Sequence, residues 1–65
     1  MRTFLNLKIG EVHTCKEIRT GRKLQGKVID AGTTHARIEF PDGSTVLLNE
    51  KSDVFVEAGT IRFNG

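Results

Sequence analysis

Apolar and polar residues alternate on both sides of a short turn in the middle of the chain. Before the turn, Ala36, Ile38 and Phe40 are separated by single polar residues, and after it Val46 and Leu48 also lie two positions apart. A period of two is typical of a β-strand that buries one face. The pattern therefore predicts two neighbouring strands that contribute to the same core.

The turn between these strands has the composition of a three-residue hairpin loop, Pro41-Asp42-Gly43. The proline ring fixes φ at a value that suits the second position of a type I turn, and aspartate is favoured at the next position. Glycine accepts the left-handed conformation that closes such a loop with a bulge. We therefore predict a β-hairpin here.

Shorter apolar stretches predict further strands. Residues 24–31 include β-branched side chains and contain Gly26, at a position where a strand often bends or bulges. Residues 54–57 and 60–63 form two short candidates on either side of Ala58-Gly59.

Near the N-terminus the pattern allows two interpretations. In the first, strands at residues 3–8 and 11–16 flank a turn. In the second, Thr14 and Glu17 form a capping box, and Gly21 closes one short helical turn. The sequence does not distinguish between them.

Five to seven short strands separated by glycine-rich turns predict an all-β fold, with residues 1–65 forming a single domain. A chain this short buries only about 60% of the surface that its unfolded form exposes, so the core must be small. One cysteine excludes an internal disulfide, and one cysteine with two histidines is too few for a typical structural zinc site. Because closure hides strand edges, we expect a small antiparallel barrel without a cofactor.

The chain has no run of about 18 apolar residues that would span a membrane. The first residues, MRTFLNLKIGE, do not have the uninterrupted apolar region of a signal peptide. A single unpaired cysteine suits a reducing compartment. We therefore expect a cytoplasmic protein that does not span a membrane.

Charge is distributed unevenly along the chain. Residues 1–28 contain seven basic and two acidic residues, a net charge of +5, whereas residues 29–65 contain three basic and six acidic residues, a net charge of −3. This polarity suggests an anionic partner for one surface, although it would also help two copies of the chain to associate. The predicted nucleic-acid-binding site is a set of five nearby cations, namely Lys16, Arg19, Arg22, Lys23 and Lys27.

Several cations in one loop can contact successive phosphates and displace counterions, which predicts salt-dependent binding. The alternative is that these long side chains only solvate an exposed turn. Rings for base stacking are few, because the chain has four phenylalanines and no Trp or Tyr. Phe55 is the candidate, since Val54 and Val56 would occupy the opposite strand face; the alternative buries Phe55 and turns the valines outward.

The segment TGRKLQGKV, residues 20–28, resembles the first hairpin of Sm-like proteins, which include bacterial RNA chaperones. The shared pattern is a turn glycine, a basic residue, and then Leu-X-Gly-X-aliphatic. In that family the glycine lets the second strand curl into an SH3-like five-stranded barrel that forms rings and binds RNA. The resemblance implies an SH3-like or Sm-like barrel and favours RNA over DNA. It does not continue, because the usual aromatic is missing near residues 30–33 and residues 47–56 lack the second motif.

A second resemblance covers the central hairpin. The residues IEFPDGSTVLLN are similar to hairpins of FecR-type periplasmic domains, which read apolar-Pro-Asp-Gly-Ser-X-Val-X-Leu. Because these residues mainly serve the turn, we interpret this likeness as structural.

Two residue pairs have spacings that could serve catalysis, His13 with Cys15 and His35 with Glu39. Neither has the further residues that complete a nucleophile, a base and an orienting group. We expect Cys15 to be a small buried apolar residue, and the protein not to be an enzyme. A small-barrel enzyme with an active site at an oligomer axis is the remaining catalytic hypothesis.

Two aliphatic residues, Ile29 and Leu47, are expected to point away from the core. Outward aliphatic side chains indicate a partner, such as another copy in a homo-oligomer, or a covering segment such as residues 1–9.

The primary hypothesis is a small regulatory module whose basic loop binds the phosphates of a nucleic acid. The alternative hypothesis is a protein-interaction adaptor or inhibitor, of a kind that phages and other mobile elements encode. Such a protein would bind an acidic protein surface or add an edge strand to its partner.

Overall fold

The computed structural model describes residues 2–64 and confirms the all-β prediction. In this described part of the chain, six strands form one strongly curled sheet, a half-barrel with the core on its inner face. Within the described range, no helix is long and apolar enough to cross a membrane. The strands are β1 (Val12–Glu17), β2 (Lys23–Ala31), β3 (His35–Glu39), β4 (Thr45–Asn49), β5 (Phe55–Glu57) and β6 (Thr60–Phe63).

The strand order across the sheet is β4-β3-β2-β1-β6-β5. β1 and β6 are parallel, and every other neighbouring pair is antiparallel. The sheet therefore has two edge strands, β4 and β5, which are not hydrogen-bonded to each other.

The central hairpin forms as the alternation predicts, with β3 and β4 joined by Pro41-Asp42-Gly43. The Gly43 N–H donates to the Phe40 carbonyl at 2.9 Å, and Gly43 has a left-handed φ of +86°. The Ser44 hydroxyl and backbone N–H both donate to Asp42 Oδ1, and these bonds lower the pKa of that carboxyl. The turn chemistry thus fixes the hairpin register.

The second predicted hairpin, β5 to β6, turns through Ala58 and Gly59, which have φ values of +52° and +78°. Two successive residues with positive φ match the twist of the flanking strands, as in a type I′ turn. β6 has its predicted bounds, and β5 begins one residue later than predicted, at Phe55.

The N-terminal segment differs from the predicted strand at residues 3–8. It contains a 3₁₀ turn at Phe4–Asn6, in which Leu5 and Asn6 both have positive φ. This conformation lets Leu7 enter the core, and the Phe4 N–H bonds to the Gly32 carbonyl at 2.9 Å. The segment packs on the core and does not join the sheet.

The segment 14–20, for which the sequence allowed a strand or a short helical turn, is strand as far as Glu17 and a hydrogen-bonded turn after it. β1 continues to Glu17, and a turn that includes Ile18 follows it. The Gly21 N–H closes that turn by donating to the Glu17 carbonyl at 2.8 Å. No helix forms between Thr14 and Gly21.

The core is small and apolar, as the chain length requires. No polar or charged side chain is buried among the residues described. Phe4 and Leu5 cover part of the core from the N-terminal segment. The buried apolar side chains that form it are those of Leu7, Cys15, Val28, Ala36, Ile38, Phe40, Leu48, Ile61 and Phe63.

Gly26 is not part of a β-bulge, although its position in the sequence suggested one. It is needed for close packing. The β-bulge in β2 lies between Val28 and Asp30, where the register with β3 shifts. A Cβ atom at Gly26 would lie 2.3 Å from Ile38 Cγ2 and 2.9 Å from Cys15 Sγ. Only glycine therefore lets β2 approach the core side chains so closely.

Gly26→Ala should destabilise the protein by roughly 1–3 kcal/mol, because the added methyl group overpacks the core. Urea denaturation followed by circular dichroism measures the change. Thr33→Ala, in an exposed loop, serves as the control and should change stability by less than about 0.5 kcal/mol. Equal stability of Gly26→Ala and the parent chain would contradict the close packing of β2.

Candidate nucleic-acid interface

Three cations lie side by side on the outer face of the sheet, each on a different strand. Lys16 of β1 is directly opposite Lys23 of β2 and, on its other side, opposite Arg62 of β6. Neighbouring strands are about 4.8 Å apart, so the three charged side chains start from closely spaced backbone positions. We call Lys23, Lys16 and Arg62 the basic row.

The basic row carries little compensating negative charge. Within residues 2–64, neither Lys16 nor Lys23 forms a salt bridge. In the same range, Arg62 forms one salt bridge, with Nη2 at 3.5 Å from Glu57 Oε1, and its buried Nε has no hydrogen-bond partner. Like charges directly opposite one another destabilise a sheet. The three cations of the row therefore repel one another, and a bound anion would reduce this repulsion.

An aromatic ring extends the basic row at the sheet edge. Phe55 of β5 is directly opposite Arg62, and 44% of Phe55 is exposed. Lys16, Ile18, Glu57, Arg62 and Phe55 together line a shallow groove of about 330 Å³.

The orientation of Phe55 confirms the outward prediction. Val54 packs against the core, and Val56, directly opposite the buried Ile61, faces the inner side of the sheet. The alternative, in which Phe55 is buried and the valines face outward, is wrong. Val56 nevertheless remains exposed because β5 is an edge strand.

Three of the five predicted cations lie outside the basic row, and two of these, Lys27 and Arg19, are exposed away from the inner cavity. Lys27 is directly opposite Glu39 on one side and Val12 on the other, so a carboxylate offsets its charge. Arg19 lies in the turn after β1. That turn is held by a 2.7 Å hydrogen bond from the Thr20 hydroxyl to Glu17 Oε1.

Arg22 lies on the inner side of the sheet, away from Lys16 and Lys23. It lines a cavity of about 280 Å³ together with Glu17, Asp42 and several core side chains. Its positive charge contributes to the lowered pKa of Asp42. Arg22 therefore faces carboxylates, and an anionic ligand on the outer face would not contact it.

The structure thus divides the five cations that are adjacent in the sequence. Lys16 and Lys23 lie together, whereas Lys27 is opposite the first residue of β1 and Arg19 follows the last. Arg22 lines the inner cavity. Arg62 was not predicted, although its outward position follows from the alternation of residues 60–63. Its neighbour Lys16 is distant in the sequence, so only the sheet pairing reveals the contact.

The residues considered for catalysis do not form a reactive site. Cys15 is 1% exposed, and burial raises the pKa of its thiol, which disfavours the thiolate. His35 contacts Asp30, with Nε2 and Oδ2 3.1 Å apart, rather than Glu39. In the part of the chain described, no three His, Cys, Asp or Glu side chains converge as metal ligands.

No protein-family model matches the chain, and neither a curated protein nor a solved structure is significantly similar to it. The Sm-like and FecR-type resemblances therefore stay predictions. Function must be inferred from the geometry and charge of this chain.

Lys16→Glu should stabilise the unliganded protein, because a carboxylate would face Lys23 and Arg62 in place of a third cation. The expected gain is roughly 0.2–1 kcal/mol at low salt, and it should shrink as salt screens the charges. Lys27→Glu is the matched control and should destabilise, since it places a carboxylate opposite Glu39. Denaturation of both variants at two salt concentrations measures the difference. Destabilisation by Lys16→Glu would contradict the repulsion within the row.

The Cys15 thiol should react slowly with Ellman's reagent in the native protein and rapidly in denaturant, because burial excludes the reagent and keeps the thiol protonated. The absorbance of the released thiolate gives the rate. An immediate full reaction under native conditions would contradict the buried position of Cys15.

Proposed function

We propose that this protein is a small regulatory module that binds nucleic acid through the basic row. The observation that supports the proposal best is the alignment of Lys23, Lys16 and Arg62 across three strands, in which neither lysine forms a salt bridge within residues 2–64. A row of like charges destabilises the sheet unless an anion lies against it. RNA is the expected ligand because of the Sm-like resemblance of residues 20–28.

The spacing of the row suits a phosphate backbone. Long lysine side chains on adjacent strands can each reach a phosphate, and each contact releases condensed counterions. Arg62 offers a planar guanidinium, which forms paired hydrogen bonds to phosphate oxygens. Three cations support modest affinity, with a strong dependence on salt.

The proposal is tested by measuring the affinity of a fluorescently labelled oligoribonucleotide by anisotropy over a series of salt concentrations. Lys16→Glu combined with Lys23→Glu should weaken binding and reduce the salt slope. If each lysine contacts one phosphate of a single strand, the slope falls by roughly 1.4, since each contact contributes about 0.7.

A charge-matched control separates the row from the overall charge. Lys8→Glu combined with Lys51→Glu changes the net charge equally at exposed positions outside the row. This control should retain most of the affinity. Equal losses in the two double variants, or the absence of salt-dependent binding in the parent chain, would contradict the proposal.

A second candidate is a protein-interaction adaptor or inhibitor, which the open edge of the sheet favours. β5 is an edge strand whose three residues are all exposed, including the apolar pair Phe55 and Val56. Such an edge can add a strand from a partner, and the basic row beside it would suit an acidic protein surface. Recovery of one stoichiometric protein in a pull-down, unaffected by nuclease, would favour this function.

Self-association remains a proposal that rests on outward aliphatic side chains. Ile29 and Leu47 are both exposed, and residues 2–9 of the N-terminal segment do not cover them. Met1, which was part of the predicted covering segment, lies outside the described residues. Light scattering of the purified protein, with and without nuclease, distinguishes a homo-oligomer from a monomer with bound nucleic acid.

A further inference from the structure

Phe55 is an exposed aromatic ring fixed beside a row of cations. Its backbone is paired with Arg62, and Val54 before it packs against the core. Within residues 2–64 no strand pairs with the other side of β5, so the ring is accessible both from the outer face and from the sheet edge. Its position is set by the sheet, not by a mobile loop.

The groove beside the ring combines the two features that a single nucleic-acid strand requires. Lys16 and Arg62 supply positive charge, while Ile18 and Phe55 supply apolar surface. Glu57 is the fifth lining residue, and its carboxylate lies 3.5 Å from Arg62, so the two lysines of the row carry the uncompensated charge. The Ile18 N–H bonds to the Phe63 carbonyl at 2.9 Å, which fixes this side of the groove. Proteins that bind single strands pair a cationic track with aromatic rings on which bases stack.

A duplex would use only part of this surface. Its bases are stacked inside the helix, so its backbone could contact the cations, but no base face would be available to Phe55. A single strand presents unpaired bases that can turn onto a ring. Among nucleic-acid ligands, only one with an unpaired base can therefore stack on the Phe55 ring.

We propose that the ligand is single-stranded, with one base stacked on Phe55 and the neighbouring phosphates held by Lys16 and Lys23. This inference rests on the proposed function and names its substrate class. Arg62 lies between the stacked base and the lysines, where its guanidinium can contact the connecting phosphate. Because the stacking contact does not depend on base identity, the site should tolerate different sequences.

The first experiment compares one labelled strand alone with the same strand annealed to its complement. Phe55→Ala should weaken binding of the single strand by about 5- to 150-fold, which corresponds to the loss of one stacked base. Phe55→Leu retains an apolar side chain without a ring and should lose most of the same affinity. Melting followed by circular dichroism checks that both variants are folded.

The second experiment uses tryptophan as a probe, because the chain contains no Trp or Tyr. Phe55→Trp should retain binding, and its fluorescence should change when the single strand stacks on the indole. Leu47→Trp is the control, since Leu47 is 43% exposed on the outer face of the opposite edge strand. Its fluorescence should not change.

The outcomes separate this inference from the proposed function. Absence of salt-dependent binding to either ligand overturns both. Salt-dependent binding with equal affinity for the strand and the duplex, unchanged by Phe55→Ala, leaves the basic row as a phosphate site and overturns stacking. The stacking inference is supported if the parent chain prefers the single strand and Phe55→Leu loses affinity. It also requires that only the fluorescence of Phe55→Trp, and not that of Leu47→Trp, changes on binding.

Discussion

The parallel pairing of β1 with β6 is the interaction on which the rest of the structure depends. These strands are far apart in the sequence, and their pairing attaches the β5–β6 hairpin to the rest of the sheet. It places Ile61 beside Cys15 in the core and Arg62 beside Lys16 on the outer face. Without it, β5 and β6 would be an isolated two-stranded hairpin, which is at best marginally stable in water.

The curl of the sheet also separates two surfaces of different chemistry. The outer face carries the basic row and the Phe55 ring, whereas the inner face ends in a cavity where Arg22 lies with Glu17 and Asp42. Alternation along the strands sends neighbouring residues such as Arg22 and Lys23 to opposite sides. The cations that are close together in residues 16–27 are therefore distributed over both faces of the sheet, and only Lys16 and Lys23 remain adjacent.

Features that depend on local chemistry could be predicted from the sequence. Pro41-Asp42-Gly43 specifies its own turn, and alternation correctly places Phe55 and Val56 on opposite faces, while leaving open which of them faces outward. Features that depend on distant packing could not. The 3₁₀ turn at Phe4–Asn6 exists because Leu7 must reach the core, and Arg62 joins Lys16 only through a pairing between distant segments.

The central claim is that this pairing assembles an outer-face site for single-stranded nucleic acid. Its most direct test is an NMR titration of the isotope-labelled protein with a single-stranded oligoribonucleotide, following the backbone amides. The account predicts that the largest shifts cluster at Lys16, Lys23, Phe55 and Arg62, with little change at Arg22 and Asp42. Shifts concentrated around the inner cavity, or no shifts at low salt, would contradict it.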